Sequence, residues 1–367
     1  MWMLIFLLLP LLGLVYAGWH VYTLLPLPAG WRWVIVGLGV LSFLLIFLNF
    51  SRAIDRMPLW LARTIYDVAN SSIFVLLYIV IIFLVLDLGR LFRVVPREWL
   101  CQNQYTSIVL IIGVFVLFLY ANVHYRHKHR EQLTLTTEKP LSHPLRLVMA
   151  SDLHVGYHNT RQELSRWVDL INAEHPDLVL IAGDIIDISV RPLIEEDMAA
   201  EFRRIQAPVY ACLGNHEYYA GHPAAQQFYR DAGIPLLRDT AVVVGDLLLI
   251  GRDDRTNPRR KPLHQIVADS TALMASHPSI LLDHQPHHLE EAEQENVDFQ
   301  FSGHTHEGQV WPISWITHSV YECAFGSYQR GHTRYYVSSG LGIWGGKFRI
   351  GTRSEYIVMD IRQKHRR

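Results

Sequence analysis

The chain has 367 residues, a formal net charge of -1 and 50% hydrophobic residues, so it is long enough for two structural units of about 100–200 residues each. The near-neutral charge argues against a broad nucleic-acid surface, because such surfaces carry a clear basic excess. Its three cysteines, Cys101, Cys212 and Cys323, form no CxxC pair, which argues against a disulfide framework and excludes a cysteine-type zinc site.

The first third of the chain is made of long apolar runs. A transmembrane helix needs about 20 mostly apolar residues, because the hydrocarbon core is about 30 Å thick. Four stretches meet this test, at about 2–24, 32–50, 71–92 and 105–123. The first stretch lacks the positive start of a signal peptide, since no Lys or Arg precedes Arg32. The sequence therefore predicts an all-α membrane domain of about four transmembrane helices over residues 1–123.

The cations of the short loops bear on the orientation of this domain. If the rest of the chain is cytoplasmic, the inside segments hold six cations, which are Arg52, Arg56, Arg63, Arg126, Lys128 and Arg130. The outside loops then hold four, which are Arg32, Arg90, Arg93 and Arg97. Because Lys and Arg concentrate on the cytoplasmic side, this count favours a cytoplasmic second domain.

A basic segment follows the last apolar run directly. Residues 124–130 read His-Tyr-Arg-His-Lys-His-Arg, and residues 124–144 as a whole resemble a juxtamembrane linker. Cations at this position are attracted to anionic headgroups at about 1 kcal/mol each. A plain stop-transfer cluster explains the same residues equally well, so both interpretations stay open.

From residue 145 onward, short apolar strands alternate with helical patterns, which favours α/β layers. The strand-like runs lie at 145–150, 178–182, 209–213, 241–250, 280–282, 297–301, 335–338 and 356–361. The helix-like stretches lie at about 160–174, 192–205, 223–232 and 262–276. Polar motifs come at the ends of the strands, where loops present functional side chains.

Five such motifs occur in order, and they are Ser151-Asp152-Leu153-His154, Gly183-Asp184-Ile185-Ile186-Asp187, Gly214-Asn215-His216-Glu217, Asp283-His284-Gln285-Pro286 and Gly303-His304-Thr305-His306-Glu307-Gly308. In Asp152-x-His154 and His304-x-His306, the strand period of two aims both side chains to one side of the sheet end. Imidazole, carboxylate and amide oxygen together suit borderline divalent metals such as Mn, Fe or Zn. Each motif alone is weak, but the ordered set predicts a metal centre.

The order D-x-H, GD-x-x-D, GNH, H and GH-x-H resembles the signature of the calcineurin-like metallophosphoesterase superfamily, over about residues 145–361. The GHTHEGQ form and the helical N-terminal region resemble the bacterial transmembrane metallophosphoesterases, a branch similar to the enzymes that cleave UDP-2,3-diacylglucosamine in lipid A synthesis. This resemblance implies an α/β fold at 145–367, a four-layer αββα sandwich with two β-sheets between helices. It also implies a bacterial inner-membrane location.

The resemblance further implies a site for two divalent metal ions (Mn, Fe or Zn). The ligands of one ion would be Asp152, His154, Asp184 and His306. The ligands of the other would be Asp184, Asn215, His284 and His304, with Asp184 bridging the two. His216 would be the catalytic histidine, which touches the substrate phosphate and protonates the leaving group.

Other polar residues of the motifs are expected to support this site. Asp187 would anchor a loop or a histidine, and Glu217 and Glu307 would hold loops in place. Asp283 would either orient His284 or cap a helix. For Arg349 near the C-terminus, a contact with phosphate and an ordinary solvated position are equally good expectations.

Two departures from the superfamily's Ser/Thr protein phosphatases narrow the activity. Those enzymes carry GDxVDRG and RGNHE, whereas here Ile188-Ser189 follows Asp187 and Leu213 precedes Gly214. Protein phosphatase activity is therefore not expected.

The sequence predicts a membrane-anchored phosphoesterase that hydrolyses a phosphoester or pyrophosphate bond by metal-activated hydroxide. The expected partners are the lipid bilayer and a phosphorylated small molecule, for example lipid-linked UDP-2,3-diacylglucosamine, and not nucleic acid; the oligomeric state is left open. Alternatives are a phosphodiesterase acting on phospholipid or nucleotide, or a non-enzymatic membrane receptor with a degenerate domain. A transporter is less favoured, because Asp87 is the only carboxylate well inside a span.

Overall fold

The computed structural model describes residues 2–364, and the side chains of residues 8–364. It divides into two compact units. The first, called the helical unit, contains the residues up to 123 together with a short insert at 345–348. The second, called the sheet unit, contains the residues from 124 onward without that insert.

The helical unit is built from apolar helices, which are α1 (Trp2–Leu24), α2 (Ala29–Leu44), α3 (Ile46–Phe50), α4 (Leu59–Leu91) and α5 (Gln104–Arg126). Among the described residues, three stretches are long and apolar enough to cross a membrane, namely Ala29–Phe50, Leu59–Leu91 and Gln104–Arg126. Leu8–Leu24 is a shorter apolar helix. Three of the four predicted spans are therefore supported by length and composition, and the first stays a prediction.

Polar and aromatic contacts join the helices of this unit. Asp87 of α4 accepts a hydrogen bond from the Tyr16 hydroxyl of α1 at 2.8 Å, and the His20 Nε2 atom lies 2.9 Å from the same carboxylate. The insert packs against α4 and α5 through Phe348, whose ring lies 6.2 Å from that of Phe74 and 4.7 Å from that of Phe118. The carboxylate inside the apolar run is thus satisfied within the helical unit.

The sheet unit contains two mixed sheets. Its strands are β1 (Lys128–Thr137), β2 (Leu145–Ala150), β3 (Leu178–Ala182), β4 (Val209–Cys212), β5 (Thr240–Val244), β6 (Leu247–Gly251), β7 (Ser279–Leu282), β8 (Phe299–Ser302), β9 (Gly326–Arg330), β10 (Thr333–Val337) and β11 (Ser354–Gln363). One sheet has the order β1-β11-β2-β3-β4 and the other β5-β6-β7-β8-β10-β9. The strands β2, β3 and β4 are parallel neighbours, as are β6, β7 and β8.

Helices cover the outer faces of both sheets. They are α6 (Arg161–Ala173), α7 (Arg191–Glu195), α8 (Met198–Phe202), α9 (Asn215–Ala220), α10 (His222–Asp231), α11 (Leu263–Val267), α12 (Thr271–Ser276) and α13 (Leu289–Gln294). A further helix, α14 (Ile313–Val320), follows the loop of His306 and contributes no residue to the buried clusters. The sequence of α6 shows why it forms here. Its first turn carries a Thr160–Glu163 capping box, and Leu164, Trp167 and Ile171 form one buried apolar face.

Three buried apolar clusters separate four layers. Along β2, alternate side chains point to opposite faces, so Leu147 and Met149 enter the cluster between the sheets while Val148 and Ala150 meet the helices of the first outer layer. A third cluster joins the second sheet to α11, α12 and α13. The predicted α/β architecture with two sheets between helices is therefore observed.

The structure also differs from the sequence-based elements in several places. The predicted linker at 124–144 contains β1, which pairs in parallel with β11 at the edge of the first sheet. The predicted run 241–250 is a hairpin of β5 and β6. The predicted helices 192–205 and 262–276 are each broken into shorter helices, and β9 and α14 were not anticipated.

Candidate metal centre

The five motifs meet at the carboxyl ends of strands from both sheets. Asp152 and His154 follow β2, Asp184 follows β3, and Asn215 and His216 follow β4. In the second sheet His284 follows β7, and His304 and His306 follow β8. Because parallel neighbours end at the same sheet edge, the loops converge there. The structure thus brings all eight predicted site residues into one cluster.

Three side chains form a first group of ligand atoms. The Nε2 atom of His306 lies 3.5 Å from the Oδ1 atom of Asp152, and the Nε2 atom of His154 lies 3.8 Å from it. The Nε2 atoms of His154 and His306 lie 3.1 Å apart. The Oδ2 atom of Asp184 lies 3.7 Å from the Nε2 atom of His154. Two imidazole nitrogens and a carboxylate aimed at one point form a donor set that suits a divalent cation.

A second group shares one carboxylate with the first. The Asp184 Oδ2 atom lies 3.0 Å from the Nε2 atom of His284, and the Oδ1 atom of Asn215 lies 3.2 Å from that same nitrogen. The Asn215 oxygen also lies 2.8 Å from the Nδ1 atom of His304. Asp184, His284 and His304 present ligand atoms within 4.8 Å of one another. Asp184 therefore stands between two donor groups.

The far nitrogens of the histidines fix which ring atom faces the centre. The Nδ1 atom of His284 lies 2.7 Å from the carbonyl oxygen of Ala182, to which it donates, so Nε2 presents its lone pair to the site. The Nδ1 atom of His154 lies 3.3 Å from Asp187 Oδ1. The Nδ1 atom of His306 is buried without a hydrogen-bond partner among the described residues, and its Nε2 atom faces Asp152. The oxygens beside the Nδ1 atoms of His284 and His154 fit metal coordination through Nε2.

The charges in the cluster are arranged to favour cations. Burial alone would raise the pKa of Asp184, but His284, His216 and His154 hold it well below its usual range. Burial lowers the pKa of His304 to about 4 and that of His306 well below its usual range. These two imidazoles are therefore neutral at pH 7 and able to donate lone pairs.

His154 and His284 show the opposite shift. Burial opposes it, yet the neighbouring carboxylates of Asp152 and Asp187 raise the pKa of His154 to about 10. The carboxylate of Asp184 raises the pKa of His284 well above its usual range against the same burial. Without a cation, protons occupy the positions that face the carboxylates, so a cation would displace them.

The ligand loops carry a backbone conformation that the sequence does not reveal. The residues with positive φ angles here are Asp152 (54°), His154 (45°), Asp184 (51°), His304 (71°) and His306 (50°). Left-handed backbone at non-glycine residues is costly and clusters at functional sites. This conformation directs both side chains of each D-x-H and H-x-H pair toward the centre. The two side chains of each pair therefore lie on one side, as expected. The expected cause was the alternation of side chains along a continuing strand, and that cause is wrong because these residues follow the ends of the strands.

Two carboxylates support the ligands from behind. Glu217 accepts hydrogen bonds from the backbone N–H groups of Asp184 at 3.1 Å, Ile186 at 3.0 Å and Gly214 at 2.7 Å, which ties two ligand loops together. The Oδ1 atom of Asp187 lies 3.3 Å from the Nδ1 atom of His154 and 3.3 Å from that of His216. Both residues thus have the supporting positions that the sequence predicted.

His216 lies beside the ligand groups and is partly open to solvent. Its backbone N–H donates to Asp184 Oδ1 at 2.8 Å, and its ring centroid lies 4.4 Å from that of His154. The side chain is 13% exposed, whereas those of His154 and His284 are fully buried. His216 is therefore more accessible from solvent than those two ligands.

Arg349 is neither solvated nor aimed at a phosphate position, which corrects both expectations. Its guanidinium is fully buried and donates to the carbonyl oxygens of His306 at 2.6 Å and of Ser339. Asp283 accepts from Arg252 at 3.1 Å and Arg260 at 3.0 Å, which fixes the residue next to His284. Neither expected role is seen, because the Nδ1 atom of His284 donates to Ala182 and the next helix begins only at Leu289.

Sequence reasoning missed two polar residues that hold the first ligand loop. The Ser151 hydroxyl donates to Asp152 Oδ2 at 2.5 Å. The Asn159 amide donates to the carbonyl oxygens of Leu153 at 3.0 Å and His154 at 3.1 Å. Asn159 lies outside the motif, and nothing in its local sequence distinguishes it from a loop asparagine.

Comparison with known proteins agrees with this geometry. Residues 145–308 match the family described as calcineurin-like phosphoesterase. An uncharacterized metallophosphoesterase of Campylobacter jejuni is 30% identical over 264 residues, which is 70% of this chain and 69% of that protein. A transmembrane protein with metallophosphoesterase domain from Danio rerio is 28% identical over 333 residues, 84% of this chain and 76% of that protein.

An uncharacterized metallophosphoesterase of Aquifex aeolicus is 28% identical over 243 residues, which is 64% of this chain and 92% of that protein. The matched region includes every predicted ligand, and buried His and Asp groups able to hold metal lie within it. The chain belongs to the calcineurin-like phosphoesterase family and is a metal-dependent phosphoesterase.

Proposed function

We propose that this phosphoesterase hydrolyses a phosphoester or pyrophosphate bond of a lipid-linked substrate, with a nucleotide-linked glycolipid such as UDP-2,3-diacylglucosamine as the first candidate. The observation that carries the proposal is the Asp184 carboxylate, which stands within 3.0 Å of His284 and 3.7 Å of His154 in the two donor groups. Apolar helices of spanning length in the same chain support a membrane-associated substrate, because a tether raises its local concentration.

We assign the ligands by the two donor groups. One cation would be held by Asp152, His154, Asp184 and His306, and the other by Asp184, Asn215, His284 and His304. Two divalent cations held in this way polarise phosphoryl oxygens and lower the pKa of water. The Asn215 side chain keeps its amide oxygen toward the His284 and His304 nitrogens, and Glu217 holds the loops that carry Asp184 and Asn215.

His216 is assigned as the proton donor to the leaving oxygen. Asp187 lies against its Nδ1 atom, which leaves Nε2 as the ring atom that can serve the substrate. The backbone bond from His216 to Asp184 keeps the imidazole beside the reacting phosphoryl group. A positioned histidine of this kind contributes about 10²–10⁴-fold to a proton-transfer step.

The proposed location is a bacterial inner membrane with the sheet unit in the cytoplasm. The excess of Lys and Arg in the segments assigned to that side supports this orientation. The relatives named as transmembrane proteins support attachment to a membrane. Mn, Fe and Zn all suit the imidazole and carboxylate donors.

Product formation by the full chain in nanodiscs, followed by mass spectrometry of the cleaved esters, tests the proposal. The chain is treated with chelator, given back Mn, and offered UDP-2,3-diacylglucosamine, phosphatidic acid and a water-soluble aryl phosphodiester. We expect the lipid-linked substrates to turn over fastest. Equal turnover of all esters would overturn the lipid assignment.

Asp184→Asn is the matching variant, because it removes the shared negative charge while keeping the side chain's size. We expect turnover to fall by more than about a hundredfold, since even outer partners of metal ligands cost about 10–100-fold. Bound metal measured by mass spectrometry should fall with it. The control is Asp231→Asn, at the exposed end of α10, which should retain normal turnover and normal bound metal. An Asp184→Asn protein with normal activity would refute the shared-carboxylate site.

A further inference from the structure

A cleft of about 410 Å³ lies in the sheet unit and contains none of the proposed metal ligands. Its walls come from the end of α5, the start of β1 and the exposed side of α6. Its cationic and aromatic lining residues are Tyr125, Arg126, Lys128, Arg166 and Trp167. It therefore combines the basic residues at the end of α5 and the start of β1 with the next helix, α6.

The lining of the cleft carries more positive than negative side chains. Arg126, Lys128 and Arg166 supply three cations, and two carboxylates, Glu163 and Asp169, also line it. Each carboxylate also has a partner outside the cleft. Glu163 accepts the backbone N–H of Thr160 in the cap of α6, and Asp169 accepts a hydrogen bond from Arg204. Anionic groups are therefore the ligands that this lining favours.

Aromatic rings fix the position of one of these cations. The Lys128 ammonium lies 3.7 Å from the centroid of the Tyr125 ring and 5.1 Å from that of the Trp167 ring. It also donates to the Tyr125 carbonyl oxygen at 2.9 Å. Trp167 is only 3% exposed, so this wall is rigid. An ammonium held in this way loses little freedom when an anion binds.

The depth of the cleft relative to a bilayer follows from α5 itself. This helix has 23 residues, which span about 34 Å at 1.5 Å per residue, and its composition suits a membrane span. The hydrocarbon core is about 30 Å thick, so the last turn, which contains Tyr125 and Arg126, reaches the headgroup level. The cleft is built onto that turn.

We propose that this cleft binds the phosphodiester headgroup of an anionic phospholipid. Its volume is at the lower end of the range for ligand pockets, about 300–1,000 Å³, which suits a phosphate with a small polar substituent. Basic pockets beside membrane helices recognise lipid headgroups by the same chemistry. The lipid bound in this cleft would stay with the protein and would not be hydrolysed. The proposal is therefore independent of the reaction at the metal centre.

Native mass spectrometry of the detergent-purified full chain tests this site. The protein is titrated with phosphatidylglycerol, phosphatidylcholine or glycerol 3-phosphate, and bound molecules are counted. We expect one phosphatidylglycerol to be retained under conditions that remove phosphatidylcholine. Lys128→Gln and Arg166→Gln should each weaken retention about fivefold.

Arg203→Gln removes a half-exposed arginine of the same unit outside the cleft and should leave retention unchanged. Arg166 is exposed on α6, so its variant serves even if Lys128→Gln unfolds. Equal retention of both phospholipids, or retention unaffected by both cleft variants, would overturn the proposal. Binding of glycerol 3-phosphate in place of phosphatidylglycerol would also overturn it, by assigning the cleft to a soluble phosphate ester.

Discussion

At the scale of single residues, neighbouring histidines differ in role according to the partner of their Nδ1 atom and their exposure to solvent. His284 and His154 each have an oxygen behind Nδ1, from Ala182 and Asp187 respectively, and turn Nε2 to the centre. His216 also rests on Asp187 but remains 13% exposed. Burial and orientation, more than residue type, therefore distinguish a ligand from a proton donor here.

His216→Ala is predicted to slow hydrolysis selectively. A leaving group that is a poor anion needs a proton, so turnover of alkyl phosphoesters should fall by about 10²–10⁴-fold. A nitrophenyl ester, whose leaving group needs no proton, should lose far less. Bound metal should stay unchanged, as should both activities of the control His264→Ala, which alters an exposed histidine on α11. Equal losses for both esters would contradict a proton-donor role.

Gly303→Ala is predicted to disrupt the first donor group. An added Cβ would lie 2.2 Å from Asp152 Oδ2 and 2.5 Å from the Ser151 hydroxyl, so the carboxylate must move. We expect bound metal and turnover to fall together, because the displaced carboxylate is a proposed ligand. In the control Gly113→Ala, the added Cβ meets nothing within 4 Å. Normal metal content in the first variant would show that Asp152 is not a ligand.

At the scale of elements, the sequence predicted best the strands that are buried on both faces. The runs 145–150 and 178–182 were predicted with the observed bounds of β2 and β3, because apart from Arg146 they are apolar segments that end in polar motifs. The strand β1 was missed because its exposed and covered residues alternate among charged and Thr side chains. Its place depends on pairing with β11, far along the chain.

The sequence predicted which residues form the site, but it did not predict the backbone conformation that directs their side chains. Motif order identified the side chains, since the carboxyl ends of parallel strands meet. The left-handed backbone at Asp152, Asp184 and His306 could not be predicted, because it is imposed by surrounding loops and not by local propensity. The Asn159 amide was missed for the same reason.

The loop between α4 and α5 offers a native reporter of orientation. It contains Cys101, which is exposed, whereas Cys212 and Cys323 are buried. If the sheet unit is cytoplasmic, this loop faces outward, and a membrane-impermeant maleimide should label the chain in intact cells. Cys101→Ser should abolish that labelling. Labelling that appears only after lysis would reverse the proposed orientation.

At the scale of the whole molecule, the metal-free protein is predicted to be most stable near pH 6.5. The pKa of His304 is lowered from 6.5 to about 4 by burial, so stability falls as pH drops from 6.5 toward 4, where the unfolded chain binds more protons. The pKa of His154 is raised from 6.5 to about 10. The protonated His154 therefore stabilises the fold fully below pH 6.5, and this stabilisation is lost as pH rises toward 10.

Thermal unfolding of chelated protein between pH 4.5 and 9.5 measures this dependence. Added Mn should flatten the alkaline side, because a cation replaces the protons that His154 and His284 carry. His304→Gln should flatten the acid side, because it removes one imidazole that the fold keeps neutral. A melting temperature that rises steadily from pH 6.5 to 9.5 without metal would contradict the assigned protonation states.

The buried guanidinium of Arg349 has a consequence for biosynthesis. It binds the carbonyl oxygen of His306, and the strand that follows it, β11, inserts between β1 and β2. The ribosome must therefore synthesise the chain through β11 before the loop of His306 gains this support. Chains that stop before Arg349 would lack its hydrogen bond to His306.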